Sequence, residues 1–341
     1  MVEEFRSKQI ELAHGSGGTA SRRLVEELIL PHLRNPILER LTDSALVPFG
    51  DAGTVAVTAD SFVVSPLRFA GGSIGTLAVN GTVNDLAVSG ARPIALVCTL
   101  ILEAGLPTAT LDAELAAMAK ASQAAGVPIV GGDTKVVEHG KADGLYITTA
   151  GIGLPIAGVK LDARSAKAGD KVILSGPIGD HGITILLARG ELDMEADIAS
   201  DCRSVWPMVE AIIAAAASQI RWMRDPTRGG LASALNEFAR ASGFCVTLQE
   251  ELLPVRDQVR GACELLGLDV LHVANEGQFL AIVAPGAAAR ALEAMRATEH
   301  GAAAAIIGEV QEGAPCLEVV TAHGSSRVVD MLVGDQLPRI C

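Results

Sequence analysis

Across residues 158–169 an alternation of short apolar runs and amphipathic stretches stops. Small and charged residues take over, and the alternation restarts at Lys171. A break of this kind near the middle of 341 residues constrains the fold more than any single motif does. One hydrophobic core rarely serves more than about 250–300 residues, so the chain reads as two domains. The apolar runs are strand-length (55–58, 94–102, 127–130 and 146–153; then 171–174, 280–284, 308–310 and 317–321). The amphipathic stretches are helix-length (21–33, 111–126, 207–218 and 232–241), and a strand-like run also begins at 10–12. Strand-length and helix-length patterns interleaved in this way predict an α/β fold. The expected divisions are 1–158, 159–332 and a loose tail, 333–341. Aromatic residues make up only 3% of the chain, so Ala, Val, Leu and Ile must fill both cores.

The net charge of −13 argues against a nucleic-acid partner, which needs clustered Lys and Arg to neutralise phosphates. It leaves nucleotides open, because a divalent cation can bridge their phosphates to carboxylates. No apolar run reaches membrane-spanning length, and the start of the chain is charged from Glu3 onward with no signal-peptide pattern. Six scattered cysteines include no CxxC pair. The expectation is a cytoplasmic protein with reduced thiols and no membrane contact.

Acidic residues recur where strands end or helices begin. Asp51, in Gly50-Asp51-Ala52-Gly53, and Asp60 flank one apolar run. Asn84 and Asp85 sit inside an apolar, small-residue helical stretch, where burial is costly unless the pair is hydrogen-bonded or holds a metal. Gly131-Gly132-Asp133-Thr134-Lys135 follows a short strand. Its glycines would let a ligand approach the backbone, and its Asp and Lys offer a metal ligand and a cation, or else a turn with solvated charges. Asp225-Pro226-Thr227-Arg228-Gly229-Gly230 precedes a helix. Asp225 fits an N-cap there, and the same corner suits a phosphate or a metal. Glu276, in a turn before a strand, is either solvated or a base aimed at a cleft. No P-loop exists, and Gly151-Ile152-Gly153 starts a dinucleotide pattern that Ile156 breaks. No Ser/His/Asp order and no histidine cluster is present.

The sequence ends Pro338-Arg339-Ile340-Cys341. Pro338 stops regular structure, and the residues from Val333 onward have a reach of about 26–29 Å when extended. That is far enough to carry the Cys341 thiol into a cleft, although a frayed end with an incidental thiol fits the tail alone.

The four loops GDAG (50–53), NDLA (84–87), GGDTK (131–135) and DPTRGGL (225–231) resemble the ATP-binding superfamily of aminoimidazole ribonucleotide synthetase, selenophosphate synthetase and thiamine monophosphate kinase. Together with HGSGG (14–18), NGTVNDLAVSGARP (80–93) and the closing PRIC, essentially the whole chain resembles the HypE family of hydrogenase maturation proteins. A selenophosphate synthetase would carry its reactive residue near the start, where no cysteine precedes Cys98. The resemblance implies a PurM-like two-domain fold with mixed sheets, a flexible tail, a homodimer, and a cleft for ATP and Mg²⁺. It implies that Cys341 is carbamoylated by HypF and that ATP drives dehydration of the thiocarboxamide to a thiocyanate. The cyanide then passes to iron on a HypC–HypD complex, for a [NiFe] hydrogenase. By the same resemblance Asp51, Asp85 and Asp225 bind metal, and Asp60, Asn84 and Asp133 join them around the cofactor. Cys341, Lys135 and Glu276 do the chemistry, with Glu276 as base on the amide nitrogen and Lys135 as base or phosphate-stabilising cation.

Overall fold

The computed structural model describes residues 10, 12–15, 18–33, 35–50, 53–190, 196–332, 337 and 339–341. The first half contains β1 (Ala45–Pro48), β2 (Thr54–Phe62), a small hairpin of β3 (Arg68–Phe69) and β4 (Gly72–Ser73), β5 (Ala91–Glu103), β6 (Ile129–Val137) and β7 (Leu145–Pro155). Apart from the hairpin these form a five-stranded sheet in the order β1-β2-β7-β5-β6. Only β5 and β6 run parallel, and the Thr108–Ala125 helix supplies the crossover that parallel neighbours need. Helices cover one face of this sheet. On the other face Val97, Ile101, Ile152 and Leu154 are exposed.

The Ile74–Val88 helix occupies the centre of the molecule. Ser73 caps it by accepting from the Thr76 amide at 3.4 Å. Thirteen of its fifteen residues are buried, so it shows no solvent stripe. It packs between the first sheet and the Trp206–Ala216 helix of the second half, and its Ala87 and Val88 belong to that half's core. Thr76 and Asp85 are the two positions on it that escape full burial.

The second half builds a seven-stranded sheet from β8 (Lys171–Leu174), β9 (Ile220–Arg224), β10 (Cys245–Gln249), β11 (Leu280–Val283), β12 (Ala305–Gln311), β13 (Cys316–Val320) and β14 (Ser326–Val328). The order is β14-β13-β10-β12-β8-β11-β9, parallel only between β10 and β13. The Gly230–Ser242 helix packs on one face, and the Trp206–Ala216 and Pro285–Arg296 helices on the other. Strands buried on both sides read as continuous apolar runs, as Leu280 to Val283 does. Among the described residues no helix is long and apolar enough to cross a membrane.

Three local expectations change. Leu12–Gly15 is a 3-10 turn rather than a strand. β2 runs through Asp60 instead of ending before it. β6 continues through Gly131-Gly132-Asp133-Thr134-Lys135 rather than stopping at Val130. A Cβ on Gly132 would collide with the Cys98 carbonyl, so this glycine makes room for β5 and not for a ligand.

Candidate active site

A cleft of about 450 Å³ opens where the two halves meet. Thr58 and Asp60 reach it from β2, Asp43 from the turn before β1, and Asp85 from the central helix. The second half contributes Arg224, Asp225, Arg228 and Glu276, and Cys341 arrives from the tail. One oxygen each of Asp43, Asp85 and Asp225 lies within 4.8 Å of the other two. The Thr58 hydroxyl is 2.8 Å from both the Asp85 carboxyl and the Asp43 main-chain oxygen, which ties the first two acids together. Arg224 bonds Asp43 at 2.8 Å and Glu237 at 3.2 Å.

Six side-chain carboxyl groups (Asp43, Asp60, Asp85, Asp225, Glu237, Glu276) face two guanidiniums (Arg224, Arg228) in the lining of this cleft. Burial pushes Asp43 up to about 7, with Arg224 pulling down and Asp225, Glu237 and Asp60 adding repulsion. Burial likewise takes Asp225 up to about 6 against the pull of Arg224. Asp85 is held well above the usual carboxylate range by burial and then by Asp60, Asp225 and Asp43. Burial raises Asp60 too, opposed by its hydrogen bond to Asp85. Carboxyls that raise one another's pKa are what a hard divalent cation relieves, and three oxygens this close offer it ligands. Glu276 is also buried and raised well above its ordinary value, first by burial and then by Asp201 and Asp225. Its Oε1 finds no hydrogen-bond partner among the described residues.

Asp60, Asp85, Asp225, Glu276 and Cys341 therefore converge, while the other predicted residues behave differently. Asp51 lies outside the described residues. Asn84 donates to the Arg203 and Glu276 carbonyls at 3.0 and 3.2 Å and accepts from the Val205 amide at 2.8 Å. It clamps the turn carrying Glu276 instead of lining the cleft. Asp133 and Lys135 pair at 2.6 Å on edge strand β6, on the open sheet face beside Thr99 and Ile101, away from the cleft of their own chain. Asp225 is not an N-cap. The helix starts at Gly230 with Gly229 before it, both left-handed at φ 57° and 75°, and this turn delivers Asp225 to the cleft. Sequence reasoning missed Asp43. Its one signal is the position shared with the other acids, a lone Asp just ahead of a strand.

Two α/β units meeting at an acidic junction define a class, the AIR synthase related proteins. The model of that family's N-terminal domain matches residues 41–154, and its C-terminal domain matches 167–316. Carbamoyl dehydratase HypE of Azotobacter vinelandii is 51% identical over 339 residues, covering 99% of each chain. A HypE crystal structure in complex with ATP gives a TM-score of 0.81 at 44% identity, over 98% of this chain and 100% of that one. A chain of a HypE–HypF complex gives 0.86 at 42%, over 91% and 99%. The chain belongs to the HypE family of carbamoyl dehydratases.

Proposed function

We propose that this chain is the ATP-dependent carbamoyl dehydratase of [NiFe] hydrogenase maturation, acting on a carbamoyl group carried by its own Cys341. The observation that carries this reading is the position of Cys341 in the lining of the acidic cleft that Glu276 and Asp85 also line. HypF loads the thiol as a thiocarboxamide. The amide oxygen then leaves as phosphate, both amide protons are lost, and a thiocyanate remains on sulfur. ATP with Mg²⁺ would supply the phosphoryl group and neutralise charge on it, held by Asp43, Asp85 and Asp225 with Asp60 beside them. Glu276 takes a proton from the amide nitrogen. A carboxyl held this far above its ordinary range is a strong base once ionised, and Arg228 in the same lining favours that ionised form. The cyanide is delivered to iron on HypC–HypD, in the cytoplasm, where thiols stay reduced.

Intact-mass measurement tests the reading. After incubation with HypF, carbamoyl phosphate and Mg-ATP, a sample stripped of ATP before dehydration completes should show one added HNCO unit, located on Cys341 by peptide mapping. A loss of one water should follow only when ATP that can be hydrolysed is present. Absence of any adduct on Cys341 under all of these conditions would sink it.

Lys135 enters this reading only through a second copy of the chain. The open face of the first sheet carries Val97, Ile101, Ile152 and Leu154 together with Asp133 and Lys135. An exposed apolar face of this kind calls for a partner. We assign it to a homodimer in which Lys135 and Asp133 serve the partner's cleft. Ile152→Arg should convert a dimer to a monomer in light scattering and abolish dehydration. Mixing inactive Lys135→Ala and Asp85→Ala proteins should restore part of the activity. A fully active wild-type monomer would refute the arrangement.

A further inference from the structure

The tail is held in the cleft by its main chain. Three consecutive residues each present a main-chain oxygen to one donor. Arg189 Nη2 donates to the Arg339 oxygen at 2.7 Å, His181 Nε2 to that of Ile340 at 2.8 Å, and the Val63 amide to that of Cys341 at 3.0 Å. His181 and Arg189 stand at opposite ends of one helix, Asp180–Ala188, with Arg189 as its C-cap. We propose that His181 and Arg189 are positioning residues for the dehydration step, gripping the tail backbone so that whatever Cys341 carries is presented to the cleft in a few fixed placements. This deepens the reading given above and rests on it.

The geometry makes the grip specific to position and indifferent to the load. A carbonyl only accepts, so His181 carries its proton on Nε2, and its Nδ1 accepts from the Ser200 hydroxyl at 2.8 Å. Burial drives the His181 pKa down to about 4, which keeps this single donor tautomer at neutral pH. The Phe69 ring and the imidazole pack in a T shape, with centroids 5.5 Å apart and 82° between planes, so the imidazole is braced on a further side. Arg189 is braced as well, since its Nε donates to the Ser65 carbonyl at 2.8 Å. With the Ile340 and Cys341 oxygens both fixed, the Cys341 backbone is set. Between it and sulfur only χ1 remains, with three staggered positions. Restricting a loaded group to so few placements is how positioning accelerates a unimolecular step.

Further contacts anchor the tail away from the Cys341 main-chain oxygen. Ile340 and Leu337 are buried in the core shared with Ile183 and Val273. Arg339 donates to the Val63 carbonyl at 3.1 Å and pairs with Asp143 at 2.7 Å. Arg339 adopts φ 54°, a left-handed backbone unusual for a side chain of its size, so the seated form is strained at one residue. Hydrogen bonds, an ion pair and two buried apolar side chains hold the seat, the charge of Arg228 interacts with Cys341, and the strain at Arg339 opposes them.

The test uses the full chain as His181→Ala, His181→Gln and Arg189→Ala, loaded with HypF and carbamoyl phosphate. Loading should stay within about twofold of wild type. Removing one net hydrogen bond changes a rate or population about five- to tenfold, so dehydration in a single turnover should slow by at least that factor in both Ala variants. His181→Gln, whose side-chain amide can donate to the same carbonyl, should recover most of the loss. A cavity alone would not be rescued in this way. A second readout needs no turnover. Alkylation of Cys341 in the unloaded protein by iodoacetamide, followed on the last peptide, should become about five- to tenfold faster in the Ala variants. Wild-type dehydration and alkylation rates in both Ala variants would overturn the proposal, as would a Gln variant as slow as Ala. If His181→Ala does not fold, Arg189→Ala decides, because Arg189 is only half-buried at a helix end. Failure of wild-type protein to be loaded or dehydrated would instead defeat the functional reading, and the alkylation result would still report on the seat.

Discussion

Cys341→Ala should leave no measurable dehydration, a loss of at least about 10³-fold, while nucleotide affinity stays within about twofold of wild type. The asymmetry follows from what the substitution removes. Sγ is the only atom of the tail that carries the reacting carbon, whereas the Cys341 oxygen that meets the Val63 amide is main chain and survives in Ala. The hydrophobic anchors Leu337 and Ile340 are also untouched, so the tail keeps its seat. No other described cysteine can substitute. Cys202 is buried, its thiol pushed well above the ordinary range by burial and then by Glu276, and it does not line the cleft. Cys98 lines a separate groove beneath β6. Titration calorimetry with a non-hydrolysable nucleotide, set beside intact-mass scoring of HypF-treated protein, checks both halves. Residual dehydration above about one per cent of wild type would mean that a different atom carries the carbamoyl group.

The sequence disclosed the plan of the molecule better than its turns. Two α/β halves could be read because the apolar runs are strand-length and broken by a polar link, and burial then enforces what the pattern implies. Asp85 stood out for a reason the structure repeats: a carboxyl in an otherwise buried helix needs an outlet, and the cleft is that outlet. What could not be read depends on pairing between distant segments. Asp43 reaches the site because β1 pairs with β2 and the Thr58 hydroxyl ties Asp43 to Asp85, a contact that nothing within ten residues of Asp43 encodes. GGDTK looked like a strand end because glycines usually punctuate strands. Here the close approach of β5 requires the glycine and the strand continues, which turns Lys135 onto the open face. Asn84 beside Asp85 looked like a second ligand. One residue along a helix is a rotation of about 100°, enough to take Asn84 from the cleft to the domain junction, where it clamps Glu276.

Asp85→Asn should separate folding and loading from nucleotide chemistry, and its effect should be the second largest. Asp85 is held well above the usual carboxylate range by burial and by three neighbouring acids, a shift that favours the protonated form, which Asn nearly matches in shape and charge. The thermal midpoint should therefore equal or slightly exceed that of wild type, and HypF should load Cys341 normally. Binding a divalent cation is different, because the carboxyls must first give up their protons. Asn can supply a neutral oxygen but no charge. Dehydration should consequently fall by at least about 100-fold, together with the Mg²⁺ dependence of nucleotide binding. The sign of the pH effect follows from the same groups. Asp225 and Asp43 lose their protons near 6 and 7, so wild-type Mg²⁺ affinity should rise as pH increases through that window. Asp85→Asn should lower the affinity at every pH and keep the rise. Calorimetric titration of Mg²⁺ with a non-hydrolysable nucleotide at several pH values measures both. Wild-type affinity in Asp85→Asn would remove Asp85 from the cation site and leave the acidic cluster of Asp43, Asp85 and Asp225 without its central member.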